Sequence, residues 1–256
     1  MKKVEKLSQS YFETPQKIYM TIQSFLIPLL FLMISCSEKI QDKSNFVIYQ
    51  VNPKKQTVRL FWKNSNDEIL KSLGSLKNEV ESNNEKLIFA MNGGMFDPNN
   101  TPKGLYIENF KILNPIDTLK GSGNFYLQPN GIFYLTQNNQ SEISETKKYK
   151  YNTSIKYATQ SGPMLLIDGK INSLFQKDSK NLNIRNGVGI LENGDLVFAM
   201  SKKEVNFYSF AQLFKELGCK KALYLDGYVS RMYLPEKNWM QTDGDFGVMI
   251  GVTENQ

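Results

Sequence analysis

The chain has 256 residues and a net charge of +6, with basic and acidic residues interspersed rather than blocked, and 41% of its residues are hydrophobic. That composition supports a real core and excludes a disordered chain, and without an arginine-rich patch interleaved with aromatics nucleic acid is not an expected partner. Histidine is absent, which excludes Ser-His-Asp and Cys-His catalysis and histidine-built zinc sites, while Cys36 and Cys219 alone cannot form a disulfide framework.

Residues 18–35 form an apolar stretch that ends at Cys36, with Lys2, Lys3, Lys6 and Lys17 upstream, the charge order of an export signal. Pro28 lies inside it, and its core is short for a membrane span. Met33-Ile34-Ser35-Cys36 resembles a lipobox, in which Cys36 is lipidated and becomes the new amino terminus. An uncleaved anchor helix with an incidental cysteine is the alternative. Both readings make the domain an exported, membrane-anchored part of the bacterial cell envelope. The expected division is a signal peptide over 1–36, with Met20 an alternative start, a polar tether over 37–45 and a folded domain over 46–256.

Within that domain, residues 46–50 and 57–62 read as strands joined by Asn52-Pro53-Lys54-Lys55, a hairpin-like pair. Ile69, Leu70, Leu73, Leu76 and Val80 recur at helical spacing, which predicts an amphipathic helix over 68–81. Residues 87–91 are a buried strand ending at Asn92-Gly93-Gly94. Three hairpins are expected next: 125–127 with 132–135 around Pro129-Asn130-Gly131, 164–167 with 170–171 around Asp168-Gly169, and 188–191 with 196–199 around Asn193-Gly194. Asn206 is a helix N-cap, Phe207, Phe210, Ala211, Phe214 and Leu217 mark a buried face, and Gly218 stops that helix. Cys219 falls where the stop places an apolar contact. Strands at 222–225 and 246–252 close the chain. The fold class is α+β: a single domain with a mixed β-sheet, several hairpins and at least two packed helices.

Two buried strands end alike, in Asn92-Gly93-Gly94 and in Asp226-Gly227. Polar groups beside glycine at a strand end suit a site where ligand approaches backbone. A sharp loop entry and one more hairpin turn, with 228–234 as partner strand, explain the same residues. Ser161-Gly162-Pro163 suits either an anion-binding run of N–H groups or an ordinary turn. Arg185 is one of three arginines, with Arg59 and Arg231, in a lysine-rich chain; it is either a fork for phosphate or carboxylate or a plain surface residue. Asp243 and Asp245 flank Gly244 as a calcium site would require, but a solvated turn is the preferred reading, so no metal or cofactor is expected.

Six segments in order carry a resemblance: Asn92-Gly93-Gly94-Met95-Phe96, Gly104-Leu105-Tyr106, Gly121-Ser122-Gly123-Asn124-Phe125, Ser161-Gly162-Pro163-Met164, Arg185-Asn186-Gly187-Val188-Gly189 and Tyr224-Leu225-Asp226-Gly227. The series resembles the phosphodiester glycosidase family over roughly residues 87–252, and is closest to small bacterial members. It departs from the family's lysosomal branch, where a glycine stands at the place of Tyr228; Ser230 is kept and Arg231 follows. The resemblance implies hydrolysis of a bond between a sugar and a phosphodiester phosphate in an envelope or environmental glycan. A non-catalytic glycan-binding lipoprotein is the alternative, as is cleavage of the P–O bond. On the first reading Asp226 is the carboxylate at the anomeric carbon, and Arg185 cradles phosphate with the backbones of Gly93, Gly94 and Gly162. Asn92, Ser161 and Ser230 position sugar or phosphate oxygens, and Glu108 and Asp97 are reserve acids or bases.

Overall fold

The computed structural model describes residues 42–226 and 229–255. The export stretch with Cys36, tether residues 37–41, and Gly227 and Tyr228 after Asp226 lie outside the described residues. A short 3-10 turn at Lys43–Asn45, capped by Asp42, leads into the first strand.

In chain order come β1 (Phe46–Val51), β2 (Thr57–Phe61), α1 (Leu73–Ser82) and the long β3 (Glu85–Gly94). Next are β4 (Tyr106–Glu108), β5 (Lys111–Asn114), β6 (Gly131–Thr136), β7 (Ser141–Glu145) and β8 (Ile155–Ser161). Then follow β9 (Met164–Ile167), β10 (Lys170–Ile171), β11 (Asn186–Ile190), β12 (Leu196–Ser201) and α2 (Phe207–Glu216). The last are β13 (Lys221–Asp226), β14 (Met232–Leu234), β15 (Trp239–Met240) and β16 (Val248–Asn255).

The strands form three sheets, in the orders β1-β12-β11-β13-β9-β10, β15-β14-β3-β16-β2 and β5-β4-β8-β6-β7. Every strand pairing among the described residues is antiparallel. The expected mixed sheet is therefore corrected: two helices are present, but the fold is strongly β-rich. Alternation along the strands explains the layering. Val188, Phe198, Leu223 and Leu225 of the first sheet meet Phe89, Met91 and Ile250 of the second and Phe133 and Tyr157 of the third in one central core. On the outer face of the first sheet, Phe210, Phe214 and Ala211 of α2 pack on Leu165, Ala199 and Ala222. Leu73, Leu76 and Val80 of α1 cover Leu87, Ala90 and Met249 on the second.

Turn and cap chemistry behaves as the sequence suggests where it is local. Asp168 (φ 49°) and Gly169 (φ 77°) form the tight turn between β9 and β10. Asn206 caps α2 by accepting from the Ser209 N–H at 2.9 Å, and Gly218 (φ 86°) ends it. The Cys219 N–H then reaches back to the Phe214 carbonyl at 3.0 Å, the closing bond of a Schellman motif. Burial pushes the Cys219 thiol up to about 12, so it stays a protonated, apolar filler.

Four readings fail, three of them for non-local reasons. β1 and β2 do not form a hairpin: β1 pairs with β12 and β2 with β16, so the Asn52-Pro53 turn switches sheets. Residues 124–126 are a 3-10 turn rather than a strand, and β6 pairs with β7 and β8. The helix predicted over 68–81 starts only at Leu73, because Lys71 has a positive φ of 65° and Ser72 is the cap, accepting from Ser75 N–H at 3.1 Å. The partner strand offered as the alternative over 228–234 is described only as Met232–Leu234, which pairs with β3 and β15 and not with β13.

Candidate functional site

β3 and β13 belong to different sheets, and their ends meet through three polar side chains that are all buried. Asn92, on β3, is wholly buried, as is Asn186 at the start of β11, and Asp226 at the end of β13 is 8% exposed. The Asn186 side-chain amide donates to the Asn92 carbonyl at 3.0 Å and to Asn92 Oδ1 at 2.7 Å. Its own Oδ1 accepts from the Asp226 backbone N–H at 2.9 Å. The Asn92 amide in turn donates to Asp226 Oδ2 at 3.2 Å, and its Oδ1 also accepts from the Arg231 N–H at 2.9 Å. A buried carboxylate is costly unless hydrogen-bonded, and this chain of amides meets that requirement while fixing where the carboxylate points.

Both strands are bulged at this junction. The β3–β16 register skips Gly93, and the β11–β13 register skips Leu225. A bulge bends its strand and re-aims the neighbouring side chain, which is why bulges gather beside active sites. Asp226 opens into a cavity of about 580 Å³ lined by Met95, Phe96, Lys103, Asn124, Phe125 and Tyr224, among others. One wall is the loop leaving β3, closed on itself by the Lys103 N–H to the Met95 carbonyl at 2.9 Å. The other wall is the glycine-rich loop before Phe125, in which Gly123 has φ 84°. Lys103 is the cation on the lining among the described residues; its ammonium lies 3.5 Å from Asp97 and 5.6 Å from the Phe125 ring centroid.

The structure brings together only part of the predicted set. Asp226 and Asn92 meet as expected, and Asp97 lines the same cavity. Ser161 and Ser230 stand behind it as buttresses. The Ser161 hydroxyl donates to the Leu225 carbonyl at 2.8 Å, and that of Ser230 to the Asp226 carbonyl at 3.1 Å.

Gly93, Gly94 and Gly162 are interior packing positions rather than cavity lining. A Cβ on Gly93 would sit 2.4 Å from Ile250 Cγ1, one on Gly94 2.4 Å from Thr159 Oγ1, and one on Gly162 2.6 Å from Asn130 Cβ. Arg185 is fully buried, with Nε on the Val205 carbonyl at 2.8 Å and Nη2 on the Asn181 carbonyl at 2.8 Å, so its fork is turned into the protein. Asp243 is held by Arg231 at 2.8 Å, and Asp245 accepts from Asn100 at 3.0 Å.

Glu108 is elsewhere: it lines a separate hollow with Arg59 and Glu85 and accepts from the Tyr106 hydroxyl at 2.5 Å. Sequence reasoning missed Asn186, Lys103, Asn124 and Tyr224 as site residues. All but Lys103 stand inside the six segments, and Tyr224, two residues before Asp226, lines the same cavity.

An antiparallel three-sheet domain with a carboxylate held by amides at a sheet junction defines a carboxylate-centred, histidine-free site. The sequence model of the phosphodiester glycosidase family matches residues 85–253, and the chain belongs to that family. It is 38% identical over 187 residues to the uncharacterised protein YigE of Escherichia coli strain K12, covering 73% of each chain. Its fold is similar to the catalytic domain of zebrafish N-acetylglucosamine-1-phosphodiester alpha-N-acetylglucosaminidase, with a TM-score of 0.56, 14% identity and 82% of each chain covered. A candidate exported protein of Burkholderia pseudomallei K96243 shares the fold at a TM-score of 0.54 and 10% identity, over 81% of this chain and 73% of that one.

Burial raises the Glu108 carboxyl above its ordinary value, partly opposed by the Tyr106 hydrogen bond and by Arg59. A raised folded-state value means a contribution to stability that is present below the ordinary glutamate range and lost as pH rises through the shifted value. Glu108→Gln removes that loss and keeps an acceptor for Tyr106. Its urea midpoint relative to wild type is expected to rise between pH 4 and pH 7; a relative midpoint that falls over that interval contradicts this placement.

Proposed function

We propose that the domain hydrolyses the bond between a sugar and the phosphate of a phosphodiester, in an envelope or environmental glycan. The observation that carries this reading is Asp226, a buried carboxylate aimed by Asn92 and Asn186 into a cavity of sugar-phosphate size, in a chain of the phosphodiester glycosidase family. Ordinary glycosidases pair two carboxylates because a sugar alkoxide leaves poorly without a proton. A phosphate leaves as a stable anion, so the demand shifts from acid assistance to holding negative charge. Asp226 faces the anomeric carbon, as nucleophile or as stabiliser of an oxocarbenium-like transition state. Lys103 supplies the positive charge that the inward-turned Arg185 does not. Met95, Phe96 and Phe125 offer apolar surface to the sugar ring.

Asp226→Asn is expected to lower sugar release from sugar 1-phosphodiesters below detection while leaving the thermal midpoint near that of wild type. In ¹⁸O-labelled water the label is expected in the sugar, which reports C–O cleavage. Near-normal turnover by Asp226→Asn, or label found in the phosphate, contradicts the reading.

We infer further that the domain is exported and held at a membrane by a lipid on Cys36. The apolar stretch over 18–35 and the lipobox-like Met33-Ile34-Ser35-Cys36 support this. Cells fed labelled palmitate are expected to label the wild-type protein but not Cys36→Ala, and to lose the variant from the membrane fraction. Equal labelling of both would contradict lipidation at Cys36.

A further inference from the structure

Tyr224 and Asp226 lie two residues apart on β13, and both line the cavity. Tyr224 is 1% exposed, and its ring stands edge-on to Phe207, with centroids 4.9 Å apart and planes at 82°. Arg185 lies against both rings: its guanidinium carbon is 3.7 Å from the Phe207 centroid and 5.4 Å from that of Tyr224. Nε and Nη2 of the fork are engaged by Val205 and Asn181. Nη1 is buried and has no partner that meets hydrogen-bond geometry. Burying a guanidinium with an unengaged donor is expensive, so its place in the fold calls for a reason beyond packing.

The phenol of Tyr224 gives one. Burial pushes its titration well up, while the positive charge of the neighbouring Arg185 pulls the other way. A hydroxyl has two acceptor lone pairs and one proton. No protein acceptor for the hydroxyl proton meets hydrogen-bond geometry among the described residues. Tyr224 is therefore a neutral O–H donor at the cavity wall, which it shares with the carboxylate.

Resting on the reading given under Proposed function, we propose that Tyr224 donates a hydrogen bond to the phosphate oxygen that leaves the sugar, and that Arg185 is a positioning residue acting through Tyr224. The bond between the anomeric carbon and that oxygen breaks, and its electron pair stays on the phosphate. Water supplies the hydroxyl that joins the anomeric carbon, and its remaining proton passes to solvent by way of Asp226. Tyr224 keeps its own proton, because a phosphate monoester with a second pKa of about 6 is far less basic than a phenolate at about 10. Its hydrogen bond strengthens as charge grows on the departing oxygen, so the effect falls on kcat more than on KM.

The test uses two substrates with the same sugar: its 1-phosphate methyl diester, and its 2,4-dinitrophenyl glycoside, whose leaving group needs no such donor. Tyr224→Phe keeps the ring and its packing. It is expected to lower kcat on the diester about a hundredfold, the scale of losing one oxyanion donor, with little change on the dinitrophenyl glycoside. Arg185→Lys is expected to show the same selective loss, smaller, because the charge stays but the fork is gone. Competitive inhibition by methyl phosphate is expected to weaken about tenfold in Tyr224→Phe, which reads the contact without turnover. Equal losses on both substrates with unchanged inhibition, or a diester kcat that survives Tyr224→Phe, overturn the proposal. A wild-type enzyme inert on every sugar 1-phosphodiester overturns the underlying functional reading, an outcome distinct from failure of the variants.

Discussion

The site depends on one short relay of hydrogen bonds, in which two buried asparagines clamp Asp226, one by its carboxylate and the other by its backbone N–H. Asn186 begins a strand of the first sheet and Asn92 lies near the end of a strand of the second, so the relay also fixes how those two sheets meet. Each amide uses both its donor and its acceptor side: Asn186 holds the Asp226 backbone while Asn92 holds its side chain. Removing one member would leave buried polar groups unpaired, at about 1–3 kcal/mol each. The carboxylate is thus placed by the same contacts that join the sheets, and its direction is not free to drift.

The glycines and the two serines follow from that constraint. To bring an asparagine and an aspartate from different sheets within hydrogen-bond range, the strands carrying them must approach closely and bend. Gly93 and Gly94 permit the approach because a Cβ at either would collide with Ile250 or Thr159, and the bulges at Gly93 and Leu225 provide the bend. Ser161 and Ser230 then tie down the carbonyls of the bulged strand end. Arg185 fits the same logic. It sits one residue before Asn186, and its inward fork, held by Val205 and Asn181, anchors the start of β11 from behind the cavity.

What the sequence disclosed divides along locality. Asp168-Gly169, Asn206 and Gly218 act through backbone angles and caps set within a few residues, and these elements were legible. The β1–β2 hairpin was misread because turn chemistry at Asn52-Pro53 says nothing about which sheet each strand joins. Asp226 and Asn92 are legible as candidates because a polar residue beside glycine at the end of an apolar run is a local signal. Arg185 stands out as one of three arginines, but rarity of a residue type does not say which way its side chain turns, and the fork expected on phosphate is turned into the protein. Glu108 was a reserve on charge alone; Tyr106 and Arg59, distant from Asp226, decide its environment. The bulges, which aim the site, depend on cross-strand register and leave no trace in residue order.

The central claim is that Asp226 faces the anomeric carbon of a sugar carrying a phosphate at that position. A crystal structure of the domain soaked with a sugar 1-phosphate measures this directly. The expected density places the ligand between the loop over residues 95–103 and Asn124, with the anomeric carbon within about 3.5 Å of an Asp226 oxygen and the phosphate beside Lys103. A ligand bound instead in the separate cleft lined by Asn52, Gln140 and Asn193, or with its phosphate remote from Lys103 and its anomeric carbon turned from Asp226, would contradict it.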